Sequence, residues 1–550
     1  MPLKVLFVTS ECAPFAKTGG LGEVIGALPK ALRRHGLDVR VIMPLYAGMP
    51  WQQFEPLEGI LSVPMWFGTA HARVRLGRLP RSEVPIYFLE HHRYFDRPHL
   101  YGPPPEAYPD NFERFAFLSR GALELVKALG WIPDVIHAHD WQTALVPVYV
   151  DTVEWAQPLH GSATVYTIHN LAYQGVYEGG AMFITGLGPE HYNSREFEHF
   201  GTVNLTKAAL YRSTVLTTVS PTYAQEIQTG AYGCGLDGII AERSADLVGI
   251  LNGIDADEWS PAADPHLAAP FDAHDLAGKA RCKAALQQEA GLPLRPEVPL
   301  LALIARLVPQ KGVDVLAHAL DTVLGWDVQL VMLGSGDREA ERFFASRARS
   351  RRDRFCAWFP FDDARAHRIQ AGADFFVMPS RFEPCGLSQL YAIRYGTLPI
   401  VRATGGLTDT VTTYDEATGA GTGFVFHDLR PDSLADTIGW AVSTWYDRPA
   451  HIALMRRRAM AQDHSWDRAA REYAQLYLTA YARRRGHAFA EANVLERDGA
   501  GDPDRPEAPR PSAPGPGNKA GRVSTPPMVF ERLPPLPARQ AYTTALRKRI

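Results

Sequence analysis

At 550 residues the chain is too long for a single hydrophobic core, so we expect two or three domains. The hydrophobic fraction of 46% is typical of a globular protein, and the net charge of −3 argues against partners such as nucleic acid or an acidic membrane surface. Five scattered cysteines without a C-x-x-C pair favour a reducing compartment over a disulfide or zinc framework. No apolar run resembles a signal peptide or approaches the ~20 residues of a membrane span, so we expect a cytoplasmic protein.

The first half of the chain alternates strand-like and helix-like segments. Short apolar runs predict buried strands at 4–10, 38–43, 135–140, 163–169 and 214–220. Apolar and polar residues alternate over 58–90, which predicts inserted hairpins, and apolar residues at helical spacing over 111–129 predict a helix. Repeated strand–helix units of this kind are typical of a doubly wound parallel sheet.

The same alternation resumes after residue 295, with strand-like runs at 299–305, 328–336, 374–380 and 398–401. We therefore predict an α/β fold of two Rossmann-like doubly wound domains that face each other across a cleft, with ligands beyond the carboxyl ends of the strands. The predicted domains are residues 1–249, completed by a returning helix at 466–484, and residues 250–465. Residues 485–550 are rich in proline, which predicts a disordered tail in which only the last ten residues could form a short basic helix.

A glycine-rich stretch, Lys17-Thr18-Gly19-Gly20-Leu21-Gly22-Glu23, follows the first predicted strand and precedes a helix-like segment. Glycines at such a turn expose backbone N–H groups to an anion, and Lys17 adds a positive charge beside them. An ordinary tight loop explains the stretch equally well when it is taken alone. The spacing is not G-x-G-x-x-G, because Ile25 stands where the third glycine belongs, and it is not a P-loop, so a dinucleotide or nucleoside triphosphate is not favoured.

Arg306 and Lys311 follow the strand predicted at 299–305, and Gly312 begins the next helix. A guanidinium, an ammonium and a helix N-terminus together form a site for a diphosphate. An isolated pair of this kind would more simply be two solvated surface cations. Here the pair falls at the ligand-binding edge of one sheet and the Lys17 loop at the matching edge of the other, which favours the diphosphate.

The segment 380–391 runs from a predicted strand end into a helix. Gly386, Leu387 and Ser388 would supply first-turn N–H groups to an anion. Glu383, just before that turn, either hydrogen-bonds sugar hydroxyls and stabilises a positive anomeric centre, or caps the helix N-terminus. Spacing alone slightly favours the capping interpretation.

His137, His139 and Asp140 resemble a metal-binding cluster at the end of a predicted strand. Alternation along a strand places the two histidines on one face and Asp140 on the other, and the sequence offers no convincing third ligand. We therefore favour a hydrogen-bonding role for Asp140 over a metal site. His169 ends another predicted strand, and this position favours a substrate contact over the structural role that is commoner for a lone histidine.

Taken together, these stretches resemble the bacterial glycogen synthase and plant starch synthase family. The matching motifs, in the family's order, are KTGGLGEV at 17–24, HAHDW at 137–141, TIHNLAYQG at 167–175, LNGID at 251–255, ARL at 305–307, QKG at 310–312, PSRFEPCGL at 379–387 and TGGL at 404–407. The resemblance covers residues 1 to about 484 and implies a retaining glycosyltransferase of the GT-B type. It implies transfer of glucose from ADP-glucose to the non-reducing 4-hydroxyl of an α-1,4-glucan such as glycogen, with no metal ion or other cofactor.

The resemblance also implies roles for individual residues. Those expected at the donor phosphates and sugar are Lys17, Gly19, Gly20, Arg306 and Lys311. Those expected at the donor glucose are Glu383 and Cys385, with amides from Gly386, Leu387 and Ser388. Asp140 and His169 would line the sugar and acceptor side, and Phe361 would stack on adenine. The residues expected to be catalytic are Lys17, Asp140, His169, Arg306, Lys311 and Glu383.

Two positions depart from related patterns. Glu23 stands where the family often has Asp, and Tyr391 stands where the wider group of glucosyltransferases repeats a glutamate, as in the glycogen synthase branch. Three alternatives stay open: a GT-B enzyme that uses a UDP-sugar or another acceptor, a non-catalytic glucan-binding homologue, and a sugar-nucleotide epimerase. The choice of ADP over UDP depends on the resemblance alone.

Overall fold

A computed structural model describes residues 2–103, 106–487 and 489. The expectations for the C-terminal tail, a disordered segment with a short basic helix at its end, concern residues that lie almost entirely outside the described ones. The described chain forms two Rossmann-like domains, each with its own sheet and hydrophobic core.

The N-terminal domain is built on a ten-stranded sheet. Its first strands in chain order are β1 (Lys4–Val8), β2 (Asp38–Pro44), β3 (Glu55–Pro56), β4 (Leu61–Met65), β5 (Gly68–Arg78), β6 (Pro85–Glu90), β7 (Val135–His139) and β8 (Ala163–Ile168). The chain then forms a small antiparallel sheet from β9 (Val176–Glu178), β10 (Glu198–His199) and β11 (Thr202–Asn204). It returns to the main sheet with β12 (Val215–Thr218) and β13 (Leu247–Gly249).

The strand order of the main sheet is β13-β12-β8-β7-β1-β2-β6-β5-β3, with β4 paired to β5. The strands from β13 to β6 are parallel, whereas β4 and β5 form the hairpin predicted within 58–90 and β5 pairs antiparallel with β6. The central strand β1 is almost wholly buried, as expected of a parallel strand covered on both faces. Its Phe7 lies opposite Val41 of β2 and His137 of β7.

Helices cover both faces of this sheet. In chain order they are α1 (Gly20–Arg34), α2 (His92–Phe95), α3 (Asn111–Ala128), α4 (Leu145–Asp151), α5 (Leu205–Arg212), α6 (Pro221–Glu226) and α7 (Asp237–Glu242).

The C-terminal domain contains a six-stranded parallel sheet in the order β16-β15-β14-β17-β18-β19. Its strands are β14 (Leu300–Ile304), β15 (Gln329–Leu333), β16 (Phe355–Trp358), β17 (Phe375–Met378), β18 (Leu398–Arg402) and β19 (Phe424–Phe426). Its helices are α8 (Ala277–Glu289), α9 (Val313–Val323), α10 (Arg338–Ser350), α11 (Asp363–Gly372), α12 (Ser388–Arg394), α13 (Gly405–Thr410), α14 (Pro431–Asp447) and α15 (Pro449–Met460).

The last described helix, α16 (Trp466–Arg485), returns to the N-terminal domain. Its buried residues, from Trp466 to Ala480, belong to the N-terminal hydrophobic core, where the helix packs against α1 and β8. Ser465 precedes its first turn, at the start that the sequence predicts. The residue limits proposed for the two domains stay predictions.

Ser220 and Thr222 are among the N-terminal residues that hydrogen-bond the C-terminal domain near the carboxyl ends of both sheets. Ser220 Oγ donates to the carbonyl of Pro384 at 2.6 Å. Thr222 donates from its backbone N–H and from Oγ1 to the carboxylate of Asp409, at 2.9 and 2.7 Å. These contacts hold the predicted ligand edges of the two sheets against each other.

Within the residues that the structure describes, no helix combines the length and the apolar composition that crossing a membrane requires.

Candidate active site

The glycine-rich loop leads directly into α1, with Gly19 immediately before the first helical residue. A Cβ atom on Gly22 would lie 2.6 Å from Cβ of Lys17, so this position must be glycine for the loop to pack on the helix. A Cβ on Gly19 would meet no atom within 4 Å, and one on Gly20 would meet only Leu387 Cδ1 at 4.0 Å. The space above Gly19 and Gly20 is therefore open to a ligand and faces the C-terminal domain.

Glu11, which the sequence analysis did not identify, fixes this loop by hydrogen bonds to Thr18. Its buried carboxylate accepts hydrogen bonds from the backbone N–H and from Oγ1 of Thr18, both at 2.6 Å. A third hydrogen bond comes from the hydroxyl of Tyr101, also at 2.6 Å. The available signal was a carboxylate three residues after a buried strand, in a segment that is otherwise uncharged.

Lys17 forms an ion pair with Glu23, its Nζ lying 2.8 Å from Oε1. Partial burial of the ammonium works against its charged form, but Glu23, and more weakly Asp363 and Glu258, raise the pKa of Lys17 above its usual value. The group is thus a cation at neutral pH. Glu23 thus reaches this lysine directly.

Arg306 and Lys311 lie beyond the carboxyl end of β14, as predicted. Lys311 Nζ lies 2.6 Å from Glu383 Oε2, whereas the exposed guanidinium of Arg306 has no partner among the described residues. Gly312 adopts φ +63° before α9, and a Cβ there would collide with the carbonyl of Pro379. This close approach brings the Lys311 loop against the loop that carries Glu383.

Glu383 is 5% exposed and does not cap α12, so the capping interpretation is wrong. Its Oε2 accepts from Lys311 and, at 3.0 Å, from Ser380 Oγ. The two donors lie in the loops that follow the neighbouring strands β14 and β17, and the carboxylate bonds to them instead of to the helix terminus.

The turn before α12 differs from the prediction in one respect. The helix begins at Ser388 with Leu387 as its N-cap, so Gly386 lies outside the first turn. Gly386 has φ +75°, and a Cβ there would collide with the side chain of Gln389. Burial raises the pKa of Cys385 to about 12, so the Cys385 side chain is a neutral thiol.

Asp140 follows β7 with φ +55°, an unusual backbone conformation for a residue other than glycine. Its Oδ1 accepts from the backbone N–H groups of His169 at 2.7 Å and of Asn170 at 3.4 Å. Burial raises the pKa of Asp140 to about 7, against the opposing effect of these two hydrogen bonds. The carboxyl group thus changes its charge near neutral pH.

The two histidines of β7 share one face, as predicted, with ring centroids 4.0 Å apart. Both ring nitrogens of His137 are engaged, with the hydroxyl of Tyr477 at 2.8 Å and Oγ1 of Thr167 at 2.5 Å. His139 Nδ1 lies 3.0 Å from His169 Nε2. These contacts leave no metal-binding arrangement at His137, His139 and Asp140 and give His137 a structural role.

Phe361 lies in the loop before α11 with half of its surface exposed, so its ring is available for stacking. Behind this loop, Trp259 stacks between His367 and Tyr391, with centroid distances of 3.8 and 3.7 Å. Tyr391 thus stacks its ring on Trp259.

One group of side chains in the described part of the chain could hold a cation: Glu258, Asp363 and His367, whose ligand atoms lie within 4.8 Å of one another. His367 Nδ1 is bound to Asp264 at 2.7 Å, so Nε2 is the nitrogen left for a ligand. Burial and the neighbouring Glu23 raise the pKa of Glu258. The sequence spacing of these residues did not predict this group.

The sequence matches two glycosyltransferase families over most of its length. Residues 4–242 match the starch synthase catalytic domain, and residues 287–455 match glycosyl transferases group 1. Glycogen synthase 1 of Geobacter metallireducens is 49% identical over 488 residues, which are 88% of this chain and 97% of that protein. Glycogen synthase of an Anaeromyxobacter species is 48% identical over 490 residues, 87% of this chain and 100% of that protein.

Solved structures agree with these matches. The catalytic domain of starch synthase IV from Arabidopsis thaliana, bound to ADP and acarbose, superposes with a TM-score of 0.81 at 35% identity, covering 88% of this chain and 100% of that one. Sucrose-phosphate synthase from Thermosynechococcus elongatus, at 18% identity and a TM-score of 0.55, shares the GT-B fold, covering 87% of this chain and 99% of that one. The chain is therefore a GT-B glycosyltransferase that belongs to the glycogen synthase and starch synthase family.

Proposed function

We propose that this protein transfers glucose from ADP-glucose to the non-reducing 4-hydroxyl of an α-1,4-glucan with retention of configuration, releasing ADP. The relatives named glycogen synthase and the related structure bound to ADP and acarbose support this choice of donor and acceptor. The observation that carries the proposal is the placement of an unpaired Arg306 and a partly buried Lys311–Glu383 pair at one sheet edge, with the open Gly19–Gly20 loop on the side of the other domain that faces Leu387.

The chemistry requires that ADP leave the anomeric carbon. Negative charge develops on the diphosphate while positive charge develops on the sugar ring. Arg306, Lys311 and Lys17 supply three cations for the diphosphate, and fixed charges of this kind stabilise the transition state without reorganisation. Glu383, held by Lys311, places a carboxylate near the developing positive charge. Phe361 offers an exposed ring to the adenine, a stacking contact of about 1–3 kcal/mol.

The leaving diphosphate needs no metal ion where side-chain cations already neutralise it. We therefore propose that the reaction uses no metal and no other cofactor. The proposed chemistry assigns no role to a cation at the Glu258, Asp363 and His367 group, whose two carboxylates lie near Lys17.

Retention requires either a covalent glucosyl intermediate or attack on the face from which ADP leaves. We favour same-face attack, in which an oxygen of the departing ADP accepts the proton of the acceptor hydroxyl. Glu383 Oε2 already accepts two hydrogen bonds, from Lys311 and Ser380, which weakens it as a nucleophile. Mass-spectrometric trapping of a glucosyl adduct on Glu383 would contradict this choice.

A coupled assay of ADP release tests the function directly. With ADP-glucose and glycogen we expect release that depends on both substrates, and growth of the glucan chain. Release without glycogen would indicate an epimerase or hydrolase, and binding of glycogen without release would indicate a non-catalytic homologue. Competition between ADP-glucose and UDP-glucose decides the donor, and a preference for UDP-glucose would contradict that part of the proposal.

A further inference from the structure

The ring of His139 lies against His169, and the hydrogen bond between them decides which nitrogen of His169 carries its proton. His139 Nδ1 and His169 Nε2 are 3.0 Å apart. Burial lowers the pKa of both rings, to about 3 for His169, so both are neutral at physiological pH. One proton therefore lies between the two nitrogens, and geometry alone allows either ring to donate it.

The surroundings of the other ring nitrogen, His139 Nε2, decide whether His139 or His169 donates the hydrogen bond. His139 Nε2 is buried and has no hydrogen-bond partner in the part of the chain that the structure describes. If His169 donated, His139 would carry its own proton on Nε2 and would bury an N–H group without an acceptor. If His139 donates from Nδ1, its Nε2 keeps only an unpaired lone pair. Buried N–H groups without a partner are rarer than buried acceptors without one, so donation from His139 is favoured.

Packing opposes a 180° rotation of the His139 ring about its Cβ–Cγ bond, which would move Nδ1 away from His169. Phe7 stacks on one face, with a centroid distance of 5.3 Å and an interplanar angle of 19°. His137 covers the ring from another side at 4.0 Å. Thr143 Oγ1 accepts from the backbone N–H of His139 at 2.6 Å and fixes the main chain beneath the ring. This packing holds the edge of His139 that carries Nδ1 against His169.

We propose that His139 is a positioning residue that keeps His169 in the Nδ1–H tautomer, so that His169 donates a hydrogen bond to an oxygen of the bound sugar. The identity of the sugar rests on the proposed function, whereas the tautomer does not. His169 Nδ1 has no partner among the described residues and remains for a ligand. Asp140, which uses Oδ1 to accept from the backbone of His169, keeps Oδ2 as an acceptor. His169 and Asp140 thus offer a donor and an acceptor from the ends of two paired strands, a combination that suits a hydroxyl group that both accepts and donates.

The tautomer can be read without any substrate. Full-length protein labelled with ¹⁵N-histidine gives distinct shifts for protonated and unprotonated ring nitrogens, and His169→Asn identifies the signals of His169 by their loss. We expect a protonated Nδ1 and an unprotonated Nε2 on His169. Since Nε2–H is the commoner tautomer of free histidine, this pattern is diagnostic. A protonated Nε2 on His169 would overturn the proposal, whether or not the protein transfers glucose.

Kinetics of two variants of similar shape test the consequence for turnover. In His139→Asn the amide nitrogen takes the place of Nδ1 and can still donate, whereas His139→Leu fills a similar volume and cannot. We expect kcat of the Asn variant to exceed that of the Leu variant by about tenfold, the effect of one lost hydrogen bond in the transition state, with KM for ADP-glucose changed less. Equal kcat in the two variants would overturn the proposal.

Two other negative results can be distinguished from a failure of the tautomer proposal. If the Leu variant does not fold, the spectrum of the wild-type protein still decides the tautomer. If the wild-type protein releases no ADP, the proposed function fails while the ¹⁵N pattern stands or falls by itself.

Discussion

Replacing Lys311 by methionine removes an ammonium group and keeps most of the side-chain volume. Lys311 Nζ lies 2.6 Å from Glu383 Oε2, and the two side chains are 19% and 7% exposed. If Lys311 also hydrogen-bonds the leaving diphosphate, its loss removes about 1.5–3 kcal/mol of transition-state stabilisation, which lowers kcat roughly 10-fold to 150-fold. Stability should fall as well, by about 1–3 kcal/mol, between the values for exposed and buried ion pairs.

The chain offers a matched control for the stability effect. Lys283 forms an ion pair with Asp374 at 2.7 Å in the same domain, and both side chains are buried. Asp374 precedes β17, so this pair lies at the amino end of the sheet, opposite the ligand edge. Lys283→Met should therefore lower Tm without lowering kcat at a temperature where the protein is folded. A second variant, Lys311→Met with Glu383→Gln, removes the unpaired carboxylate and should recover Tm but not kcat.

The assay is ADP release at saturating ADP-glucose and glycogen, with Tm measured in the same buffer. Unchanged kcat in Lys311→Met would refute the reasoning. So would a recovery of kcat together with Tm in the double variant, because Lys311 would then act only through folding.

Three further results are expected. Arg306→Ala should lower kcat/KM for ADP-glucose at least tenfold. It should leave Tm unchanged, because the exposed guanidinium has no partner in the described chain. An equal loss of kcat/KM in Arg352→Ala, at another exposed arginine, would contradict a specific role for Arg306. Burial raises the pKa of Asp140 to about 7, so the folded protein prefers the neutral form of this carboxyl group. The contribution of this preference to the stability of the folded protein is complete below the unfolded pKa of about 4 and is lost as the pH rises through 7. Asp140→Asn, which is neutral and of the same size, should therefore raise Tm at pH 8 while it lowers turnover, and a lower Tm at that pH would oppose this account. Turnover should survive dialysis against EDTA, and a loss that magnesium restores would contradict the metal-free proposal.

The sequence predicted the parts of the fold whose residues are buried on both faces. The central strands β1, β7, β8, β14 and β17 are buried along nearly their whole length because helices cover both sides of each sheet, and most of their residues are apolar, so their pattern is strong. Strands β16 and β19 went unpredicted, since both are short and lie at the edges of their sheet, where burial constrains fewer residues. Strands β9 to β11 contain only two or three residues each, too few for a periodic pattern.

The candidate site was predictable where its residues follow strand ends, and it was not where they act on one another. The positions of Arg306, Asp140 and His169 could be predicted because each residue follows a parallel strand, and the carboxyl ends of parallel strands lie at one edge of their sheet. Glu11 could not, because its partners Thr18 and Tyr101 are brought to it by the loop and by a distant segment. The capping interpretation of Glu383 failed for the same reason, since no local spacing shows that Lys311 approaches it.

The glycines of the TGGL motif show why motifs far apart in the sequence occur together. A Cβ on Gly405 would collide with the carbonyl of Glu383, and one on Gly406 with the carbonyl of Cys385. The motif is therefore required so that the start of α13 can lie directly beneath the loop that carries Glu383. Glu226 of the N-terminal domain accepts a hydrogen bond from the backbone N–H of Gly405 at 3.0 Å. The side chain of Glu226 and the backbone of Gly405 therefore connect the N-terminal domain to the loop that carries Glu383. The glycines thus couple the domain interface to the predicted donor site without touching a substrate.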